Sequence, residues 1–226
     1  MKSLFCRPLQ LGIIALGILL GLMMLNRADA CDLDTSIAVA DLEEIQRFFE
    51  SQNKMVVTFV GYSGAEYEDK AAMLQQAARI LDEFDPSEII VNIGATPEGI
   101  GAIYNLAKSR GIITTGIVST RARESNAELS SCADYVFFVE DQSWGGFVEG
   151  ENRLSPTSEA MVGNSDVLIG IGGGEVARDE LTAAKRMGKE VRFIPADMNH
   201  QKALEKAKEK GLPAPTSFGG AAGEAF

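Results

Sequence analysis

Short apolar runs alternate with amphipathic stretches along most of this chain. Asp41 to Gln52 sets Leu42, Ile45, Phe48 and Phe49 on one face of a helix. Met55 to Val60 then reads as a strand, and Glu66 to Phe84 as a helix carrying Met73, Leu74, Ala77, Ile80 and Leu81. After the turn Asp85-Pro86-Ser87, Ile89 to Ile93 is a second strand. A helix from Pro97 to Ser109 follows, with Thr96 as its cap and Pro97 in its first turn. Ile112 to Val118 is a third strand, Arg123 to Leu129 a short helix, and Tyr135 to Val139 a fourth strand. Glu140 to Leu154 is a polar, glycine-rich loop that holds the only tryptophan, Trp144. Pro156 to Val162 predicts a helix, Val167 to Ile171 a buried strand, and Val176 to Met187 a helix after a glycine turn. Glu190 to Pro195 is a last strand and Asn199 to Lys210 a last helix.

Six β-runs separated by helices, most of them apolar throughout, argue for a parallel sheet covered on both faces. Right-handed crossovers make that an α/β fold, a single Rossmann-like three-layer sandwich with about six to seven strands. Ligands of such sheets lie beyond the carboxyl ends of the strands. Residues 31–54 form an N-terminal segment and helix, and residues 55–211 the main domain. The tail from Leu212 to Phe226, with Pro213, Pro215 and a Gly/Ala run, is expected to be mobile or loosely packed.

The first thirty residues read differently. Lys2 and Arg7 precede an apolar run from Leu11 to Leu25, then Ala28-Asp29-Ala30 and Cys31. A positive start, a short apolar core and a small-x-small exit mark an export signal cleaved after Ala30. The run is shorter than the roughly 20 residues a spanning helix needs, which disfavours an uncleaved anchor. Cys31 would then lead the mature chain and could carry a lipid. Lipoprotein signals, however, place Leu where Ala28 stands and carry no charge like that of Asp29. A soluble periplasmic protein and a lipid-anchored one are both open, the first being preferred.

An oxidising compartment permits a bond between Cys31 and Cys132, but two cysteines are no framework. Cys132, just before a buried strand, is read as a small buried thiol. The net charge is −11, and losing Lys2, Arg7, Arg27 and Asp29 with the signal takes it to about −13. So acidic a chain repels polyphosphate backbones, which argues against a nucleic-acid partner. With a single histidine, His200, and no cysteine pair at metal spacing, neither a metal site nor a cofactor is indicated.

Candidate chemistry gathers at three glycine turns, each following a predicted strand. They are Gly61-Tyr62-Ser63-Gly64, then Gly94-Ala95-Thr96 leading to Gly99, and Gly172-Gly173-Gly174 ahead of Glu175. A glycine turn entering a helix presents bare N–H groups at the positive end of the helix dipole, which suits an anion. Three at one sheet edge make a nucleotide-sized cradle. Tyr62 and Tyr67 suit either base stacking or core packing, and Trp144 is placed for ligand contact.

This order of motifs resembles the LOG family, the "lysine decarboxylase-like" cytokinin riboside monophosphate phosphoribohydrolases, and the wider SLOG/DprA-type nucleotide-binding superfamily. The likeness runs from about Met55 to Pro195. Gly61-Tyr62-Ser63-Gly64 stands at the family's C-G-S-S turn, and Gly99-Ile100-Gly101-Ala102 at its G-L-M-G-like helix start. The motif P-G-G-x-G-T-x-x-E falls on Gly172 to Glu180, matched at Gly173, Gly174 and Glu180. Gly172, Val176 and Ala177 depart from it, and Thr157 and Ser158 hold the places of the family's arginine-lysine pair. Arg153 lies one turn upstream.

The resemblance implies a nucleotide-type ligand, a homodimer and, at Glu180, a carboxylate associated with cleaving an N-glycosidic bond. Glu159 is a second carboxylate candidate. The missing cationic pair favours an exported protein that binds a nucleotide or related phosphorylated metabolite without full catalytic machinery. A nucleotide N-glycosidase of the LOG type comes second, and an envelope interaction module with a vestigial pocket third.

Overall fold

The computed structural model describes Cys31 and residues 35–226, so the expected export signal lies outside the described residues. Seven parallel strands form one sheet: β1 (Ser36–Val39), β2 (Met55–Gly61), β3 (Ile89–Ile93), β4 (Ile113–Ser119), β5 (Tyr135–Val139), β6 (Val167–Ile171) and β7 (Glu190–Ile194). Their spatial order is β1-β5-β4-β3-β2-β6-β7. The chain starts its main run at β2 and builds outward to one side. It then returns to place β6 and β7 on the other, so the order reverses between β2 and β6. This is the Rossmann-like three-layer sandwich that the alternation predicts.

Helices cover both faces: α1 (Leu42–Gln52), α2 (Lys70–Leu81), α3 (Ile103–Lys108), α4 (Arg121–Glu124), α5 (Pro156–Gly163), α6 (Glu175–Arg186), α7 (His200–Glu209) and α8 (Gly220–Ala225). Alternating strand residues divide between the layers. Val57, Phe59, Val91 and Ile93 pack under α2 and α3, whereas Val56, Val60 and Ile90 turn toward α1, α5 and α6. Polar residues inside the sheet answer one another across the register. Thr58, Asn92 and Thr115 lie side by side on β2, β3 and β4, and Asn92 bonds to both threonines.

Local side-chain caps explain three helix starts. Asp41 accepts from Glu44 N–H while the Glu44 carboxylate accepts from Asp41 N–H, closing a capping box. Asp69 and Asn199 cap α2 and α7 in the same single-sided way. The expected long helix from Glu66 is shorter because Glu66 takes a positive φ of 53° and Tyr67 bridges to Met198. Thr96 does not cap the next helix: its hydroxyl serves Glu98 N–H, and a 3-10 turn at Gly99–Ala102 precedes α3.

Three elements differ more deeply from the sequence expectation. Ser36–Val39 is a strand, added in parallel beside β5 at the sheet edge. That pairing brings the chains entering β1 and β5 together, and Cys31 and Cys132 form a disulfide there. The expected free thiol at Cys132 is therefore corrected. The cause is long-range, because the two cysteines are 101 residues apart in sequence. The tail is also ordered. Ala222 on α8 is fully buried and its N–H donates to Gly173 O at 3.0 Å. The Phe226 ring lies 5.5 Å from that of Phe193.

Candidate functional site

A cavity of about 380 Å³ opens at the carboxyl ends of β2, β3 and β4, beside the point where strand order reverses. That size lies within the range of small-molecule sites. Its walls are mostly apolar, with Phe59, Ile93, Ile117 and Met161 behind and Val176 in front. No lysine, arginine or histidine lines it among the described residues. At one end α5 and α6 face each other. There Glu180, on α6, is 4% exposed.

One hydroxyl from α5 answers Glu180. Ser158 Oγ donates to Glu180 Oε1 at 2.6 Å and accepts Gly146 N–H at 2.7 Å. Both contacts are buried. Removal from water, with a smaller push from neighbouring Asp179, raises the Glu180 carboxyl to about 7, against the lowering effect of the Ser158 bond. Thr157, beside Ser158, lines the cavity, and its hydroxyl is buried without a hydrogen-bond partner. Its backbone N–H is held by Asp141 Oδ2 at 2.9 Å, and its hydroxyl approaches that carboxylate without hydrogen-bond geometry.

No lysine, arginine or histidine among the described residues lines the cavity beside Glu180, so burial dominates there.

The Trp144 loop closes over this end. Gly145 and Gly146 have φ of 117° and 86°, which only glycine adopts without strain. A side chain at Gly145 would press on Ser158 Oγ, and one at Gly146 on Asp179 Oδ2. Phe147 N–H donates to Asp179 at 2.9 Å, and Ser143 N–H and Oγ both donate to Asp141 at 2.8 Å. These bonds fix the loop while Trp144 stays half exposed at the mouth, with the Arg121 guanidinium 5.9 Å from its ring.

The predicted site residues separate into two groups. Gly61, Ser63, Gly94, Thr96, Trp144 and Glu180 line the cavity. Gly94 is open at the mouth, where a side chain would meet nothing within 4 Å, and Gly64 is similarly open just outside the lining. Tyr62, Gly99, Gly172, Gly173, Gly174 and Glu175 are not in the lining. Tyr62 is buried, with its hydroxyl 3.2 Å from the carbonyls of both Ala196 and Phe218. Tyr67 is also core and donates to Ile171 O at 2.7 Å.

Gly172 and Gly173 are packed from outside. Gly172 lies against the Tyr62 ring, and Gly220 of the tail sits on the Gly173 carbonyl. Gly174 is the N-cap of α6, and Glu175 is exposed. Glu159 is exposed on the far side of α5, and His200 stacks on Phe218 at 3.9 Å between ring centroids. Arg153 pairs with exposed Glu151 instead of reaching the cavity lining.

Gly99 combines a φ of 58° with contact against the Tyr62 carbonyl, so Gly99→Ala is expected to destabilise the fold by about 3 kcal/mol. Urea unfolding checks it. A change below about 0.5 kcal/mol, the size of an ordinary surface effect, would refute the steric argument.

Sequence reasoning missed Ser158 and Thr157 as site residues, reading them only as losses from a motif. It also passed over Ala95, a cavity residue held at φ 59° with its N–H on Tyr104 Oη and its carbonyl on Ser130 N–H. An alanine in that backbone region has no local sequence signal.

No family model and no curated protein matches the chain. Among solved structures it is similar to the molybdenum cofactor carrier protein of Chlamydomonas reinhardtii, at 18% identity over 62% of this chain and 76% of that one, TM-score 0.45. It is similar to the molybdenum cofactor binding protein of the phototrophic bacterium Rippkaea orientalis, at 19% identity over 70% and 85%, TM-score 0.46. A third likeness is to DNA processing protein A of Streptococcus pneumoniae, at 14% identity over 77% and 61%, TM-score 0.44.

Proposed function

We propose that this is an exported binding protein for a nucleotide or related phosphorylated metabolite, with the ligand's ring system in the cavity and its anionic part at the mouth. One observation carries the reading: an apolar cavity at the strand-order reversal ends in a buried, hydroxyl-bonded carboxylate. An apolar slot with a few convergent polar groups suits a planar heterocycle. A phosphate is poorly served at the deep end, where Glu180 stands and no cation lines the wall. The open glycine positions, Gly64 and Gly94, lie at or beside the mouth instead. Trp144 there can stack on the ring.

Export rests on the signal-like first thirty residues, and the Cys31–Cys132 bond suits an oxidising compartment. A sulfur bonded to Cys132 has no valence left for a thioether-linked lipid, which favours the soluble form.

The N-glycosidase reading keeps one specific support, a carboxyl poised near neutrality in a cleft, as a general acid requires. Its weakness is the absence of a cation to hold the substrate phosphate or the developing charge.

Titration of the protein with nucleoside monophosphates is expected to quench or shift the fluorescence of Trp144, the only tryptophan, and to raise the melting temperature without releasing base. Base release abolished by Glu180→Gln would establish the hydrolase instead. No optical or thermal response to any nucleotide would leave the interaction-module reading.

A further inference from the structure

The hydrogen bonds around Glu180 have a fixed direction. Gly146 N–H donates into Ser158 Oγ, so the single serine proton is directed to Glu180 Oε1. Ser158 Oγ has a second lone pair, but a proton on Oε1 would leave the serine hydrogen without an acceptor among its partners. The arrangement that uses every donor therefore keeps Oε1 an acceptor in either charge state. When the carboxyl is neutral its proton sits on Oε2, the oxygen without a protein partner, on a side chain that lines the cavity. An ionised Glu180 beside a neutral ring would be an uncompensated buried charge, because the lining holds no cation.

We infer that Glu180 binds ligand as a neutral acid, its Oε2–H donating to an acceptor on a heterocycle edge whose adjacent N–H returns a bond to the carboxyl. This rests on the nucleotide reading and adds to it the class of edge selected: an acceptor and a donor side by side, as a ring nitrogen beside an amino group provides.

The other charged groups nearby do not supply the proton. Asp141 is held below the usual carboxylate range because N–H donors from Thr157 and Ser143 outweigh its burial. Asp179 is paired with Arg178 at 2.8 Å on the same helix. Glu128 lines the mouth from the 127–129 segment, Glu159 projects from the exposed side of α5, and Arg121 lies against Trp144.

The sign of the pH dependence follows. A ligand that needs the neutral acid binds well below the carboxyl's midpoint and loses affinity as pH rises through it, taking up a proton on binding. With that midpoint at about 7, affinity is expected to fall about tenfold between pH 6 and pH 8.

The test is isothermal titration of the purified protein and its Glu180→Gln variant with AMP from pH 6 to 8.5. A glutamine is a permanently neutral mimic whose amide keeps the Ser158 bond and presents N–H to the cavity. The ratio of parent to variant affinity cancels titration of the phosphate. The expected result is a ratio falling about thirtyfold across the range, with more proton uptake in the parent than in the variant. A flat or rising ratio would overturn the neutral-acid proposal and leave nucleotide binding standing. Absence of binding by both proteins at every pH would overturn both.

Discussion

Above pH 7 the Glu180→Gln variant is expected to be more stable than the parent protein. Burial raises the Glu180 carboxyl from its ordinary 4.5 to about 7. Below pH 4.5 folded and unfolded states are both protonated, and the group imposes no penalty on folding. Between those values the unfolded chain ionises while the folded one holds its proton, so stability is lost as pH rises. By pH 8 the loss amounts to about 3 kcal/mol. Glutamine does not titrate and still accepts the Ser158 hydroxyl, so it escapes this loss. Guanidinium unfolding at pH 5 and pH 8.5 should show a small difference growing to about 3 kcal/mol. A difference independent of pH would mean that Glu180 is solvated, and the neutral-acid proposal would lose its physical basis.

Reducing the Cys31–Cys132 bond should have an effect of similar size. The bond closes a loop spanning 101 residues, and closure entropy alone assigns such a crosslink roughly 5 kcal/mol. It also secures the edge strand β1, a four-residue element held to the sheet by β5 alone. Unfolding with and without reductant, and in Cys132→Ser, should show the midpoint dropping equally in both. No effect of reductant, with two free thiols titrated in the parent, would show that the bond does not form. It would also reopen Cys31 to lipidation.

The two predictions trace back to different parts of the sequence reading. The strands at Ile89–Ile93 and Tyr135–Val139 were legible to the residue, because apolar β-branched runs bounded by turns leave little choice. Ser36–Val39 was not, because four residues exposed along their length carry no burial pattern. With β1 unseen, nothing placed Cys31 beside Cys132.

The site was partly legible for a comparable reason. A glycine turn after a strand is visible in sequence, and Gly61 and Gly94 do border the cavity. Whether such a glycine faces ligand or packed protein is not visible. Gly172 and Gly173 are glycines because both hold a positive φ and a side chain would meet Tyr62 and the Ala196 carbonyl at the first and Ala177 at the second. The tail looked loose, since its Gly/Ala composition offers little apolar surface of its own. Its helix is held by fitting small residues against an equally small-residued turn.

By itself, then, the sequence determined the α/β class, the parallel sheet and the sheet edge at which the candidate cavity opens. Alternation and strand-end glycines are local properties written into consecutive residues. Tertiary structure alone decided that the cysteines pair, that α8 seals the third glycine turn and that Ser158 meets Glu180. Each of these joins residues distant along the chain or on separate elements, and their energies come from burial and hydrogen-bond direction, which exist only once the layers have packed.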